Sequence, residues 1–421
     1  MRAPWLARLL VPRVPFYYGW IVLACVCLAG FARQGPAVAV LSIFVEPMRT
    51  DLGWSSMAFG GAVSVGGVIA AFVSPAIGRL LDRSGARLLL CCAVIGTGVS
   101  LMAISVVNSL VLFYVFYCYA RMNWAGPFEL GLYGALNNWF VARRALASSI
   151  ATIAQLGGLV ALPLVAHFAM NGRDWRAGWL AVGVCVLLVG LLPVWLLLVR
   201  RPEDVGLAPE PAMPMHAKST PEPRFSREQA LRTPAFWLLA LYTVLVYPSQ
   251  AGVSLYQASH MIERGIDAAT VATIISAFSL MSAVASFGVG WLPRHWPIRF
   301  LLAASGTLMG FGALSMLGIR SAPEAFACGA VFGLGIGGLL TLLPIVWADY
   351  FGRESYGAIR GTALTMQVIA QACGPIVAGA LRDVHGDYTW SLALFGSLAV
   401  VGGVVVLGAK RPDAALQTRA V

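Results

Sequence analysis

Long apolar runs, broken only by short charged or Pro-rich stretches, repeat along the whole chain of 421 residues. We count twelve runs, each long enough to cross a hydrocarbon core about 30 Å thick. Backbone polar groups in such a core must be satisfied within each segment, so the runs are predicted to be α-helices. The predicted spans are residues 17–46, 57–80, 87–106, 110–138, 145–169, 177–199, 234–260, 268–292, 298–319, 324–348, 358–381 and 388–408.

Composition and charge exclude several function classes. Apolar residues make up 59% of the chain and charged residues 11%, which is outside the range of soluble domains. The net charge of +11 does not indicate nucleic-acid binding, because the basic residues lie in loops between apolar runs. The eight cysteines fall inside apolar runs, so neither a disulfide framework nor a metal site is indicated. No Gly-rich phosphate loop with a following Lys occurs, so we do not expect transport driven by ATP. The sequence also shows no catalytic constellation, so we expect neither an enzyme nor a cofactor.

The distribution of Lys and Arg predicts the orientation. If the N-terminus lies inside, the segments on its side hold 21 of the 29 basic residues and the opposite loops hold six. An excess of positive charge marks the cytoplasmic side. We therefore expect a multi-pass protein of the plasma or inner membrane with both termini in the cytoplasm.

A long polar segment divides the chain in two. It predicts three parts: a six-helix bundle over residues 1–199, a cytoplasmic central loop over 200–233 and a second bundle over 234–421. The halves echo each other, since Ile153-Ala-Gln155 recurs as Ile369-Ala-Gln371. The predicted fold class is an all-α membrane protein of twelve transmembrane helices in two pseudo-symmetric six-helix bundles, expected to be monomeric. Parallel repeats of this kind are typical of transporters that alternate access to a midplane site.

A dense charge cluster between spans 2 and 3 is predicted to be a tight turn. The motif is Gly78-x-x-x-Asp82-Arg83-x-Gly85-x-Arg87. Glycines permit a tight turn, and a carboxylate gains from the backbone donors at a helix end. The motif resembles the signature loop of the major facilitator superfamily. That resemblance implies that Asp82 latches the inward gate, with the arginines as its ionic partners. The equivalent stretch of the second half, residues 290–299, has no acidic residue, so any latch is one-sided.

Further motifs resemble the monocarboxylate-transporter-like branch, including bacterial oxalate/formate exchangers. They are Tyr17-Tyr18-Gly19-Trp20, Trp139-Phe140 with Arg143-Arg144, Arg201-Pro202-Glu203-Asp204, and Tyr350-Phe351-Gly352-Arg353. This resemblance implies proton-linked or exchange transport of small carboxylates. One departure matters: span 8 lacks the Arg and Asp that monocarboxylate transporters typically carry there. The first half would then have to supply the positive charge for the anion, because Arg360 lies at the mouth of span 11 and is predicted to be too shallow.

Three charged residues within the spans are the candidates for the transport chemistry: Arg33, Arg121 and Glu129. A charge in a span is costly and normally marks a pathway. At 1.5 Å per residue, Arg33 lies about 24 Å from one face and Arg121 about 16 Å from the other, so both are predicted near one level. Guanidinium groups bind carboxylates well, which makes both arginines predicted substrate ligands. Glu129 is the predicted proton carrier. The alternatives are an ion pair of Glu129 with one of these arginines, with another helix or with Arg143.

The second half offers polar side chains that would line the same pathway: Tyr247, Gln250, Gln367 and Gln371. Each is equally compatible with a helix–helix contact. Prolines inside the spans, Pro36 and Pro127 among them, predict kinks. The predicted function is secondary active transport of small organic anions, mono- or dicarboxylates, coupled to protons or to a counter-anion. The alternatives are an efflux carrier for larger lipophilic or cationic compounds, and a membrane sensor that does not transport.

Overall fold

A computed structural model describes residues 4–54, 56–170, 174–210, 223–289 and 296–412, and within these ranges the α-helix is the dominant element. The α-helices are α1 (Trp5–Leu10), α2 (Gly19–Arg33), α3 (Val38–Leu52), α4 (Ser56–Ser84), α5 (Ala86–Ile104), α6 (Leu110–Ala125), α7 (Pro127–Trp139), α8 (Arg144–Met170), α9 (Trp175–Leu197), α10 (Arg227–Leu231), α11 (Pro234–Glu263), α12 (Ala268–Val289), α13 (Ile298–Ser315), α14 (Ala322–Phe351), α15 (Tyr356–His385) and α16 (Thr389–Leu407). Two short 3₁₀ helices, Pro202–Val205 and Met316–Gly318, complete the regular structure described.

Nine helices in the described ranges are long and apolar enough to cross a membrane. The other three predicted spans are spans 1, 4 and 8. Span 8 corresponds to α12, of which Thr273–Val289 counts as a shorter apolar helix. Spans 1 and 4 are each two consecutive helices, where the sequence predicted one.

Proline and glycine account for both breaks. Between α2 and α3 the chain runs through Gln34–Ala37, and Pro36 lacks the N–H that a continuing helix needs. Between α6 and α7 a single residue, Gly126, leaves helical geometry, and Pro127 then occupies the first position of α7. Proline is favoured there because its missing N–H has no helical partner in any case. The prolines therefore end helices at these two points, where the sequence predicted kinks.

The predicted turn at Gly78–Arg87 is also corrected. Helix α4 continues to Ser84 and α5 begins at Ala86, so only Gly85 separates them. Gly85 has φ +80°, a conformation that favours glycine, and this one residue ends α4 and precedes α5. Asp82 and Arg83 consequently lie on the last turn of α4 and not in a loop.

Backbone contacts divide the chain into two units. The first comprises Met1–Pro221 with Arg353–Thr365, and the second comprises Glu222–Gly352 with Met366–Val421. The beginning of α15 thus belongs to the first unit and its remainder to the second. Residues 290–295, which hold most of the predicted counterpart of the charge cluster, lie outside the described residues, as do residues 211–222 of the predicted central loop.

In the first unit, α5 packs on α9, and α2 packs on both α8 and α9. Close approach depends on small residues, as where a Cβ on Gly183 would lie 2.8 Å from the carbonyl oxygen of Gly98. Helix α7 is buried along nearly its whole length. In the second unit, α14 packs on α12 and α13, and α16 packs on α11 and α13. The side chains of α7 therefore lie mostly in the interior of the first unit.

Candidate functional site

The charged residues of spans 1 and 4 lie beside the two helix breaks. Arg33 is the last residue of α2, Arg121 lies near the end of α6, and Glu129 lies in the first turn of α7. A cation at a helix C-terminus and an anion at a helix N-terminus are both stabilised by the helix dipole. The breaks thus provide favourable positions for charge inside the bundle.

Glu129 joins two arginines through its two carboxylate oxygens. Oε2 lies 2.9 Å from Arg33 Nη1, and Oε1 lies 3.2 Å from Arg360 Nη2. The side chains of Arg33, Glu129 and Arg360 are 9%, 12% and 1% exposed. Buried ion pairs of this kind hold only with good geometry, and removal of one partner is strongly destabilising.

Further hydrogen bonds fix the Arg33 guanidinium. Its Nε donates to the backbone oxygen of Trp124 at 2.9 Å, and its Nη1 donates to Gln155 Oε1 at 2.7 Å. Gln155 in turn donates to the hydroxyl of Tyr133 at 3.4 Å. Arg33 is therefore held by α6, α7 and α8 together.

Arg121 is in a different state. Its Nε is buried and donates to no partner within the part of the chain that the structure describes, and its guanidinium carbon lies 3.9 Å from the centroid of the Trp124 ring. The guanidinium carbon of Arg33 lies 4.7 Å from that same centroid. Among the described residues Arg121 has no carboxylate partner, so an aromatic face takes the place of a counter-ion. We call Arg33, Arg121, Glu129 and Arg360 the ion cluster.

The structure decides between the alternatives that the sequence left open for Glu129. Glu129 pairs with Arg33, while Arg143 pairs with Glu210 at 3.2 Å. The expectation that Arg360 is too shallow is wrong. Arg360 is buried and reaches Glu129, because α15 already begins at Tyr356 and the long arginine side chain extends further into the unit.

Asp82 binds the beginning of α15. Its two carboxylate oxygens accept hydrogen bonds from the backbone N–H groups of Gly357 and Ala358, both at 2.8 Å. The first N–H groups of a helix have no partner within the helix, so an anion is stabilised there. Arg87, an expected ionic partner, instead donates to the backbone oxygen of Trp195 at 2.9 Å.

The predicted polar residues of the second unit form a group of their own. Gln371 Nε2 donates to Gln250 Oε1 at 3.0 Å, which joins α15 to α11. Tyr247 and Gln367 are 4% and 6% exposed. Their role in substrate binding stays a prediction.

Apolar helices in two units, with charged side chains buried beside helix breaks in the first, define a polytopic membrane protein. Residues 20–323 and 251–420 match the model of the Major Facilitator Superfamily, and the chain belongs to this family. The prediction of a transporter that is not an enzyme is thereby confirmed.

The curated relatives include monocarboxylate transporters. Monocarboxylate transporter 11 of Mus musculus is 27% identical over 414 residues, which cover 94% of this chain and 88% of that protein. Monocarboxylate transporter 11 of Homo sapiens is 27% identical over 304 residues, covering 69% of this chain and 62% of that protein's length. The resemblance to the monocarboxylate-transporter-like branch is confirmed.

Two further similarities bear on function and fold. The Membrane sensor protein UhpC of Salmonella typhimurium is 26% identical over 394 residues, covering 85% of this chain and 82% of that protein. The solved structure of the proton:xylose symporter XylE has a TM-score of 0.71 at 14% identity, covering 94% of this chain and 97% of that one. This likeness confirms the predicted fold.

Proposed function

We propose that this protein carries small organic anions across the cell membrane by alternating access, and that Arg121 binds the carboxylate. The observation that carries the proposal is the contrast between the two arginines on Trp124. Arg33 is paired with Glu129, whereas Arg121 has only the aromatic face among the described residues. An unpaired charge in a span costs at least a few kcal/mol, so a bound anion would remove a penalty that the empty site carries.

The chemistry of the ion cluster favours an anion over a cation. The cluster holds three arginines and one glutamate, and a guanidinium can bind a carboxylate through two parallel hydrogen bonds. The monocarboxylate transporters among the relatives support a carboxylate as the ligand. An efflux carrier for cations would be expected to bury more acid than base.

Glu129 is the proposed proton carrier. Each of its oxygens accepts from one arginine, so a proton on the carboxylate removes the charge that holds Arg33 and Arg360. The positive charge of Arg33 is then no longer balanced by Glu129, and Arg33 can bind the substrate anion together with Arg121, which contacts the same Trp124 ring. We therefore expect proton binding and anion binding to be coupled through Arg33. The proposed orientation places both termini in the cytoplasm, as the distribution of Lys and Arg predicts.

Uptake of labelled carboxylates into proteoliposomes tests the anion site. Arg121→Gln keeps a side chain that can form hydrogen bonds but removes the positive charge. We expect the half-saturation concentration for uptake to rise on the order of 100-fold. Arg382→Gln is the control, since Arg382 forms an exposed pair with Glu263 in the second unit. Equal uptake by the Arg121 variant and the control would overturn the proposal.

The role of Glu129 has its own test. Glu129→Gln is isosteric and cannot release a proton, so we expect its uptake to be insensitive to an imposed proton gradient, while the wild type responds. A gradient response that survives in Glu129→Gln would assign proton coupling to another group or to none.

A second candidate function is membrane sensing without transport, which the similarity to UhpC favours. The same proteoliposomes distinguish the two functions. A sensor would bind the labelled anion at the surface of the vesicle without accumulating it in the lumen.

A further inference from the structure

The first turns of α15 are fastened to α4 at several points. Besides the two bonds to Asp82, the hydroxyl of Thr365 donates to the backbone oxygen of Ala71 at 2.7 Å. A Cβ on Gly361 would lie 2.7 Å from the backbone oxygen of Ser74, so the two helix backbones nearly touch. Residues 353–365 form the segment of α15 and its approach that belongs to the first unit, and we call this segment the α15 start.

Arg360 connects the α15 start to the ion cluster. It is 1% exposed and donates to Glu129, whose other oxygen holds Arg33. It lies two residues beyond Ala358, which Asp82 binds. One short helical segment is thus held by a carboxylate of α4 and by the carboxylate that also balances the arginine of α2.

We propose that Arg360 is a positioning residue that makes the anchoring of the α15 start depend on the negative charge of Glu129. With Glu129 ionised, the Arg360 pair and the Asp82 bonds hold the α15 start together. When Glu129 loses its charge, Arg360 is left buried beside Arg33 without that carboxylate, and the α15 start is released from α4 and α7. As a step of transport this link rests on the proposed function, but as a property of the ligand-free protein it does not.

The groups facing Glu129 support a link through charge. Among the described residues, the ionisable side chains that act on it include Arg33 from α2, Arg360 and Tyr356 from α15, and Tyr133 from α7. Both tyrosines are neutral near pH 7, because the ordinary pKa of a tyrosine side chain is about 10. Loss of the Glu129 charge therefore removes the carboxylate charge that the two buried arginines share.

Hydrogen exchange measured by mass spectrometry on the ligand-free protein in nanodiscs tests the link. We expect Glu129→Gln to raise the exchange rate of residues 353–365 on the order of tenfold or more, because a buried pair has lost one partner. Arg360→Gln should do the same, and the double variant should exceed the single variants only slightly. Asp82→Asn is the positive reference for the segment, and Arg382→Gln, on the same helix, should leave it unchanged.

Several outcomes would overturn the link. The first is an exchange rate at residues 353–365 that stays at the wild-type value in Glu129→Gln, although Asp82→Asn raises it. The second is a double variant in which the effects of Glu129→Gln and Arg360→Gln on that rate are fully additive. A merely structural role would accelerate exchange throughout the first unit, whereas the link confines the change to the α15 start. If Arg360→Gln does not fold, Glu129→Gln alone decides the question. If the variants change the exchange rate as the link predicts but the wild-type protein takes up no anion, the proposed function is refuted and the link stands.

Discussion

Trp124 is the residue whose ring contacts both Arg33 and Arg121. Arg121 lies three residues earlier on the same helix, and side chains at that spacing are neighbours. The ring face attracts both guanidinium groups, and its Nε1 donates to Gln34 Oε1 at 3.2 Å in the break after α2. Trp124 therefore stabilises a pair of like charges and fixes the end of the broken span.

Removal of the ring tests this role. In Trp124→Leu we expect a loss of about 2 kcal/mol in the free energy of unfolding, because two desolvated cation–π contacts disappear. Thermal unfolding of the purified protein measures the loss. Trp195→Leu is the matched control, since Trp195 also contacts an arginine, Arg87, but is 54% exposed. Equal losses in the two variants would show that the Trp124 contacts carry no special weight.

Some residues of the ion cluster could be identified from the sequence and others could not. Arg33, Arg121 and Glu129 stand out because each is a charge inside an apolar run. The pairing of Arg360 with Glu129 joins positions 231 residues apart, and no local pattern reports such a contact. His260 shows the same limit: it lies near the end of α11, yet it is 1% exposed and hydrogen-bonded to the backbone oxygen of Met316.

At the scale of helices, glycine decides how closely α4 and α15 approach. A Cβ on Gly78 would collide with the backbone oxygen of Gly357, and a Cβ on Gly357 would collide with the backbone oxygen of Gly78. The two glycines thus permit backbone contact directly beside the bonds from Asp82. The sequence predicts that Gly78 matters, but it places the residue in a turn, where the structure has it within a helix.

Adding a methyl group at this contact tests the close approach. We expect Gly78→Ala to destabilise the protein by about 1–3 kcal/mol, as overpacking does in a dense interior. In Gly67→Ala, on the same helix, the new Cβ meets nothing within 4 Å, so a gain of about 0.5–1 kcal/mol from helix propensity is expected. Thermal unfolding compares the two variants, and effects of the same sign would contradict the packing argument.

At the scale of the whole molecule, the fold follows from features that the sequence displays directly. The apolar runs mark the spans, and the family and fold comparisons agree with that reading. The two broken spans are harder to predict, because proline within a membrane helix is compatible with a kink or with a break, and the neighbouring helices decide which occurs. Here the breaks coincide with the buried charges, which is why the correction to the fold also locates the candidate site.

The most direct test of the anion site is the affinity of the purified protein for a small carboxylate, measured by calorimetry with the wild type, Arg121→Gln and the control Arg382→Gln. We expect the wild type and the control to bind alike, and Arg121→Gln to bind on the order of 100-fold more weakly, because the unpaired guanidinium is the proposed ligand. Equal affinity in all three proteins would contradict the assignment of Arg121 as the carboxylate site.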